Sequence, residues 1–410
     1  MTEWKTCTLS DLGEIVGGAT PSTKDETNYG GDIAWITPKD LSTLKGRFIT
    51  HGERNITEKG LNSCSTQMMP TNAVLFSSRA PIGYVAIAAN PLCTNQGFKS
   101  IIANADNDPM FLYYLLKYNK NAIEAMGSGT TFKEVSGSTM RSIRVRVPVS
   151  KAEQQRIASV LDALDSKIEN NDKINDNLQQ QLSTIFREWF IDTPNFAEWP
   201  RGTFADLIDH TISGDWGKDT PTGNYTEMVY CIRGADIPEV KAGNKGKMPT
   251  RFILSKNYAA KKLVDGDIVV EISGGSPTQS TGRAAPVSES LLGRYDRGMV
   301  CTNFCKAIKP KQGYSMFVYH YWQHLYDAGV FFGYENGTTG IKNLYINGFI
   351  ETEEIVIPPI EIVGRFDSVC QAIANKVYAN GLENERLAIL RDSLLPKLMS
   401  GDIDVASVEI

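Results

Sequence analysis

Histidine is the scarcest source of chemistry in this chain, with four residues among 410. So few imidazoles leave little room for the commonest kind of general acid–base catalysis. Other signatures are missing altogether. No G-x-x-x-x-G-K-[ST] occurs, since "GNKGKM" at Gly243 lacks the first glycine and the hydroxyl residue, and a phosphate-cradling loop is therefore unsupported. No G-x-G-x-x-G follows a strand pattern, and neither H-E-x-x-H nor a G-x-S-x-G elbow is present. The Asn-Pro-Pro-aromatic run that amino-methyltransferases place around a flipped base is absent too. The expectation is a binding protein.

Long apolar runs are also lacking, and nothing approaches the roughly 20 residues needed to cross a bilayer. The start, "MTEWKTCTLS", has no basic segment followed by an apolar one, so nothing points to export. The seven cysteines are odd in number and contain no Cys-x-x-Cys. They read as reduced thiols, and a cytoplasmic location is expected. A net charge of −5 argues against holding nucleic acid by bulk electrostatics. The acidic excess, however, lies in segments 151–192 and 359–410, and the large segments 1–150 and 193–358 are nearly neutral.

What is present is repetition, with a period near 208. "EWKTCTLSDLGEIVGG" is answered by "EWPRGTFADLIDHTISG", "CTNQGFKSI" by "CTNFCKAI", "GTT" at Gly129 by "GTT" at Gly337, and "VRVP" by "IVIP". The matches are weak singly, but they keep their order. The chain reads as two α+β domains, 1–150 and 193–358, each followed by a long helix. Strand patterns such as "NAVLFSS", "YVAIAA", "RVRVPV", "DIVVEIS" and "EEIVIP" suggest a curved or barrel-like sheet. "DPMFLYYLLKYNKNAIEAM" and "SMFVYHYWQHLYDAG" read as amphipathic helices.

Heptad seams run from Ile157 to Trp189 and from Phe366 to Leu398, and a sustained seam calls for a partner helix. Each is interrupted at its middle by two asparagines, Asn171 and Asn175 in the first and Asn380 and Asn384 in the second. If the helices pair antiparallel, Asn171 faces Asn384 and Asn175 faces Asn380. A slipped register would leave an amide unsatisfied, so the asparagines set register at some cost in stability. Parallel pairing also matches asparagine with asparagine, and the seam alone does not choose direction. Gly381, beside this layer, weakens its helix by ~1 kcal/mol relative to alanine.

One metal pattern competes for attention. Cys301, Cys305, His320 and His324 have C-x3-C-x14-H-x3-H spacing, close to that of a two-Cys, two-His zinc site. The first half keeps Cys93 but has Gly97 near the place of Cys305 and no histidine in its matching helix. A fold shared by both halves does not need zinc, and no metal is expected.

The motifs "LGEIVGGATPS" at Leu12, "AWITPKDL" at Ala34, "LFSSRAPIGYVAI" at Leu75, "TNQGFKSI" at Thr94, "VPVSKAEQQRIASVLDALDSKI" at Val147 and "LRDSLLPKLMSGDI" at Leu390 resemble those of one known family. It is the DNA-specificity subunit of type I restriction-modification systems, and the likeness covers nearly the whole chain. The resemblance implies that 1–150 and 193–358 are target recognition domains, each reading one half of a split, non-palindromic site in double-stranded DNA. It implies that helices 151–192 and 359–410 form an antiparallel coiled coil that spaces the domains and docks two modification (methyltransferase) subunits. S-adenosylmethionine, ATP and magnesium are then expected on the modification and restriction/translocase subunits, and no cofactor on this chain. Forty helical residues rise ~60 Å, against ~34 Å for half-sites one duplex turn apart.

DNA-contact candidates come from loop chemistry suited to bases or phosphates. In the first domain they are Thr37, Lys39, Ser78, Arg79, Asn95, Gln96, Ser128, Thr130, Thr131 and Lys133. The counterparts in the second are Arg233, Gln279 with Arg283, Asn303, Thr338, Thr339, Lys342 and Asn343, joined by Lys245 and Lys247. Those two lie in "KAGNKGKMPTRFILSKNYAAKK", seven basic residues without an acid, which read either as a solvated face or as a phosphate track. Turn capping is the competing role for each loop residue, as in a Thr131–Glu134 capping box. For the whole chain the competing reading is a scaffold whose near-neutral modules bind proteins and no DNA.

Overall fold

The computed structural model describes residues 2–129, 133–276, 278–337 and 341–405. Two helices dominate the element order, Lys151–Phe190 and Ile360–Ser400. The chain divides into two compact units, Met1–Glu169 with Arg386–Ile410, and Asn170–Glu385. Each long helix therefore gives one part to each unit.

The two units repeat one strand plan. In the first, a five-stranded sheet runs Gly13–Gly17, Lys99–Ala103, Val74–Ser78, Ile82–Ala88, Phe48–Ile49. In the second, a four-stranded sheet runs Ile208–Ser213, Cys305–Pro310, Ile268–Glu271, Ala284–Pro286. The repetition extends to smaller pairings. Trp35–Ile36 lies parallel to Cys93–Thr94, as Tyr225–Ile232 lies parallel to Met299–Cys301. Trp4–Thr8 is antiparallel to Arg144–Pro148, as Arg201–Thr203 is to Glu354–Val356. The α+β plan with two long helices is as expected, but the curved or barrel-like sheet expected from the strand patterns does not close into a barrel among the described residues. Among the described residues the strands make open sheets of two to five.

Helix packing completes both cores. In the first unit Pro109–Ala125 begins at Asp108, whose Oδ1 accepts from the Phe111 amide at 2.9 Å. It buries Phe111, Leu112, Leu115 and Leu116 with Phe76, and Ile157, Leu161, Leu398 and Met399 of the long helices join the same cluster. In the second unit Phe186 and Phe190 pack with Phe317, Trp322 and Phe366. The heptad residues thus serve two purposes, facing the partner helix and roofing the domain core.

Candidate nucleic-acid interface

The four seam asparagines are buried, at 1 to 6% exposure. Asn380 Nδ2 donates to Asn175 Oδ1 at 2.7 Å, and Asn171 Nδ2 donates to Asn384 Oδ1 at 2.9 Å. Asn384 Nδ2 donates to Asp172 Oδ1 at 2.8 Å, and Asn175 Nδ2 reaches the carbonyls of Val377 and Ala242, both at 3.1 Å. Residue numbers rise along one helix as they fall along the other, so the helices are antiparallel here. The Arg391–Asp165 ion pair of the first unit, at 2.6 Å, has the same sense. Gly381 has a packing reason: a Cβ there would lie 1.9 Å from the Gly243 carbonyl oxygen. The loss in helix propensity permits a loop to touch the helix.

The loop candidates of the first unit converge through the backbone. The Asn95 amide donates to the Ile36 carbonyl at 2.9 Å, Ser78 to Gly97 at 2.7 Å, and Val135 to Ser78 at 3.0 Å. Glu134 bridges the strand-like segments at Arg79 and Ser128. Loops 36–39, 78–79 and 95–97 therefore share one edge with Ser128, Glu134 and Val135. The second unit repeats the arrangement, with Thr302 donating to Ile232 at 3.0 Å, Ile272 to Phe304 at 2.9 Å, and Leu344 to Ile272 at 2.9 Å.

This equivalence corrects the sequence pairing at two places. Asn95 Oδ1 accepts from the Gly97 amide at 2.8 Å, and Thr302 Oγ1 accepts from the Phe304 amide at 3.2 Å. Asn95 thus matches Thr302, and Asn303 matches Gln96, because "CTNFCKAI" is one residue shorter than its partner. Gly18 and Gly214 mark the same register. An added Cβ would meet the Asn95 and Thr94 carbonyl oxygens at 2.1 and 2.2 Å in one, and those of Thr302 and Cys301 at 1.9 and 2.5 Å in the other. Arg79 matches Ser273 rather than Arg283, since Arg79 bridges to Glu134 as Ser273 pairs with Asn343. The loop after Ile272 is longer, and sequence offsets do not carry across it.

The candidates also divide by what already holds them. Thr37 caps Pro38–Ser42 through Asp40, its hydroxyl donating to Oδ2 at 2.6 Å, and Lys39 pairs with Glu53 at 2.6 Å. Arg233 forks onto Asp236 at 2.9 and 3.1 Å and onto the Lys247 carbonyl at 2.7 Å. Although burial opposes the charge, bonds from Arg233 and the Lys247 amide hold the Asp236 carboxyl below its ordinary pKa. Arg283 is bidentate on Glu271 at 2.8 and 2.6 Å, and Lys342 pairs with Glu335 at 2.7 Å. Ser78 is fully buried, so this hydroxyl faces the core and is removed from the contact set. Arg79 meets Glu134 only at 3.6 Å, a length that permits exchange for a phosphate. Gln96, Ser128, Lys133, Gln279, Asn303 and Asn343 remain exposed. Thr130, Thr131, Thr338 and Thr339 lie outside the described residues.

The basic stretch from Lys241 is not a continuous track. Lys241 Nζ donates to Gln323 Oε1 at 2.6 Å and burial lowers its pKa. Arg251 is buried against Asp219 and the Trp216 carbonyl, and Lys261 donates to the Gly214 carbonyl at 2.9 Å. Lys245 lies 4.0 Å from Glu385 and 4.9 Å from the centre of the Tyr295 ring. Three cations of the stretch, Lys241, Arg251 and Lys261, are thus turned to partners within the unit. Cys301 and Cys305 sit in one core cluster and His320 in another, where it stacks on Phe186.

Sequence reasoning missed Arg47. It is 4% exposed, donating from Nε to Glu169 at 2.8 Å and from Nη2 to Ser166 at 2.9 Å, with Asp162 on Nη1. Its signal was the acidic stripe at Asp162, Asp165 and Glu169, three and four residues apart on one helix face. Also missed were the exposed apolar residues Phe304, Ile341 and Tyr345 at the edge of the second unit.

Comparison with known proteins agrees with the repeated plan. Residues 1–180 match the type I restriction modification DNA specificity domain. The type I restriction enzyme MjaIX specificity subunit of Methanocaldococcus jannaschii is 34% identical over 98% of this chain and 94% of its own. The HindI specificity subunit of Haemophilus influenzae is 30% identical over 41% of this chain and 38% of its own. The crystal structure of the type I restriction-modification S subunit from M. genitalium shares the fold, with a TM-score of 0.57 at 16% identity, over 97% of this chain and 96% of that one. With a curated relative at this identity across both domains and both long helices, the chain belongs to the family of type I restriction enzyme specificity subunits.

Proposed function

We propose that this chain selects the DNA site of a type I restriction-modification complex, with each unit reading one half of a split sequence. The observation that carries the reading is the duplicated loop cluster. The same backbone bonds gather equivalent loops in both units, while the side chains they present differ. One scaffold with two different surfaces suits two unlike half-sites. Exposed amides and hydroxyls at Gln96, Ser128, Gln279, Asn303 and Asn343 supply base-reading chemistry, and Lys133 and Arg79 supply phosphate contacts. The long helices set the spacing of the half-sites and dock two modification subunits, which bind S-adenosylmethionine. ATP and magnesium belong to the restriction subunits. The asparagine layer fixes helix register.

The test is long-read mapping of methylated adenines in cells carrying this chain with its modification subunits. A split motif is expected, and exchanging residues 193–358 for those of a relative should change one half only. Methylation without a motif, or a motif unaltered by the exchange, would overturn the proposal.

A further inference from the structure

Four large apolar residues stand exposed at the loop edge of the second unit: Phe304 at 59%, Ile341 at 65%, Tyr345 at 58% and Phe332 at 44%. Isolated exposed apolar residues need no explanation, but a cluster marks a contact surface. These are clustered. Ile272 donates to the Phe304 carbonyl, Leu344 to that of Ile272, and Tyr345 to that of Tyr334, which ties their segments side by side. Lys306 Nζ lies 3.4 Å from Asn347 Oδ1 across the same edge, and Lys342 Nζ lies 5.3 Å from the centre of the Phe332 ring. An apolar tip flanked by the Lys306 ammonium and the Asn343 and Asn347 amides, with Lys342 already paired to Glu335, complements a groove whose walls are phosphate and whose floor carries methyl groups.

Phe304 is the member held most firmly. Its amide is bound by Thr302 Oγ1, the next amide, that of Cys305, donates to the Thr302 carbonyl at 2.9 Å, and Thr302 and Cys305 are both buried. The ring therefore projects from a fixed turn and needs little ordering on contact. Its counterpart in the first unit is Gly97, where a Cβ would lie 2.8 Å from Pro38 Cγ. The residue matching Pro38 in the second unit is Gly234, which has no ring to cover the turn. The exchange of Pro and Gly for Gly and Phe uncovers one turn and arms it.

We infer that Phe304 reads a thymine in the second half-site through van der Waals contact with its C5 methyl group, a determinant that the first unit lacks. This rests on the DNA-reading function proposed above. Once the motif is mapped, the assembled complex is titrated with duplexes carrying deoxyuridine in place of each thymine of the second half-site in turn. Loss of one methyl contact should weaken binding by about fourfold at one position in the unsubstituted complex, and F304A should be indifferent to that same replacement. Assembly with the modification subunits should be unchanged in F304A. Equal deoxyuridine sensitivity in both proteins, a second half-site without A·T pairs, or failed assembly of F304A would each overturn the Phe304 contact alone. A complex that selects no split motif would overturn the DNA-reading function, and this contact with it.

Discussion

At the scale of single residues, burial decides chemistry more than residue type does. His320 is 9% exposed, its Nε2 has no partner, and desolvation, reinforced by Lys241, pushes its pKa down to about 3. The unfolded chain would take up a proton near pH 6.5 that the folded one refuses. Stability is then full above pH 6.5 and falls as the pH drops toward 3, because the unfolded state binds more protons throughout that window. Between pH 7 and 5 the loss is about 2 kcal/mol. His320→Phe keeps the ring contacts and removes the proton site, so its urea midpoint should fall less than that of the unsubstituted chain between pH 7 and 5. Parallel losses in the two proteins would show that His320 does not contribute. None of this was legible from the sequence, where His320 stood out only for its spacing from Cys301. Likewise Arg233 and Arg283 looked available for DNA because Asp236 and Glu271 become their partners only through folding.

Arg47 shows the same dependence on context, and its removal is informative. Arg47→Met deletes a buried cation shared by Asp162, Glu169 and Tyr114. Breaking a buried pair costs about 3–5 kcal/mol, and the partly exposed Asp162 and Glu169 can recover water, so about 2–3 kcal/mol is expected. Urea unfolding checks this. A loss below about 0.5 kcal/mol, the range of surface substitutions, would show the network to be dispensable.

At the scale of elements, the long helices were legible because heptad spacing is local, and the asparagines stood out as breaks in it. What the seam could not reveal was direction, which depends on contacts far apart in the chain. The sheets were the least legible for the same reason: strand patterns identify strands, whereas closure depends on non-local pairing. Asn175 and Asn380 invite a direct comparison. Asn175→Leu leaves the Asn380 amide buried against an alkyl group and should cost about 1–3 kcal/mol. The double replacement Asn175→Leu with Asn380→Leu removes the stranded Asn380 amide and should recover part of that loss, the Ala242 carbonyl still lacking its Asn175 donor. Register is then enforced only by the Asn171–Asn384 pair, and when these two are replaced by Leu as well, a spin-label distance between the helices should broaden. A variant with all four asparagines replaced that still gives a single sharp distance would show that the apolar seam alone sets register.

At the scale of the whole molecule, duplication lets one fold carry two independent readings. A homodimer would force a palindrome; here the units share strand order but differ in the loops proposed to read DNA, Gly97 against Phe304 being one instance. On the proposed function the helices set the gap between half-sites, and a heptad added to both tests this. Seven residues lengthen a helix by ~10.5 Å, the rise of about three base pairs. Seven is chosen because it preserves the seam, whereas a four-residue insertion would rotate apolar positions off the partner. Three base pairs also turn the duplex by roughly 100°, so binding should weaken as DNA or protein twists to compensate. The mapped motif should keep both half-sites and gain about three unread positions. An unchanged gap would mean that the helices do not set the spacing, and altered half-sites would mean that reading is not confined to the loop edges of the two units.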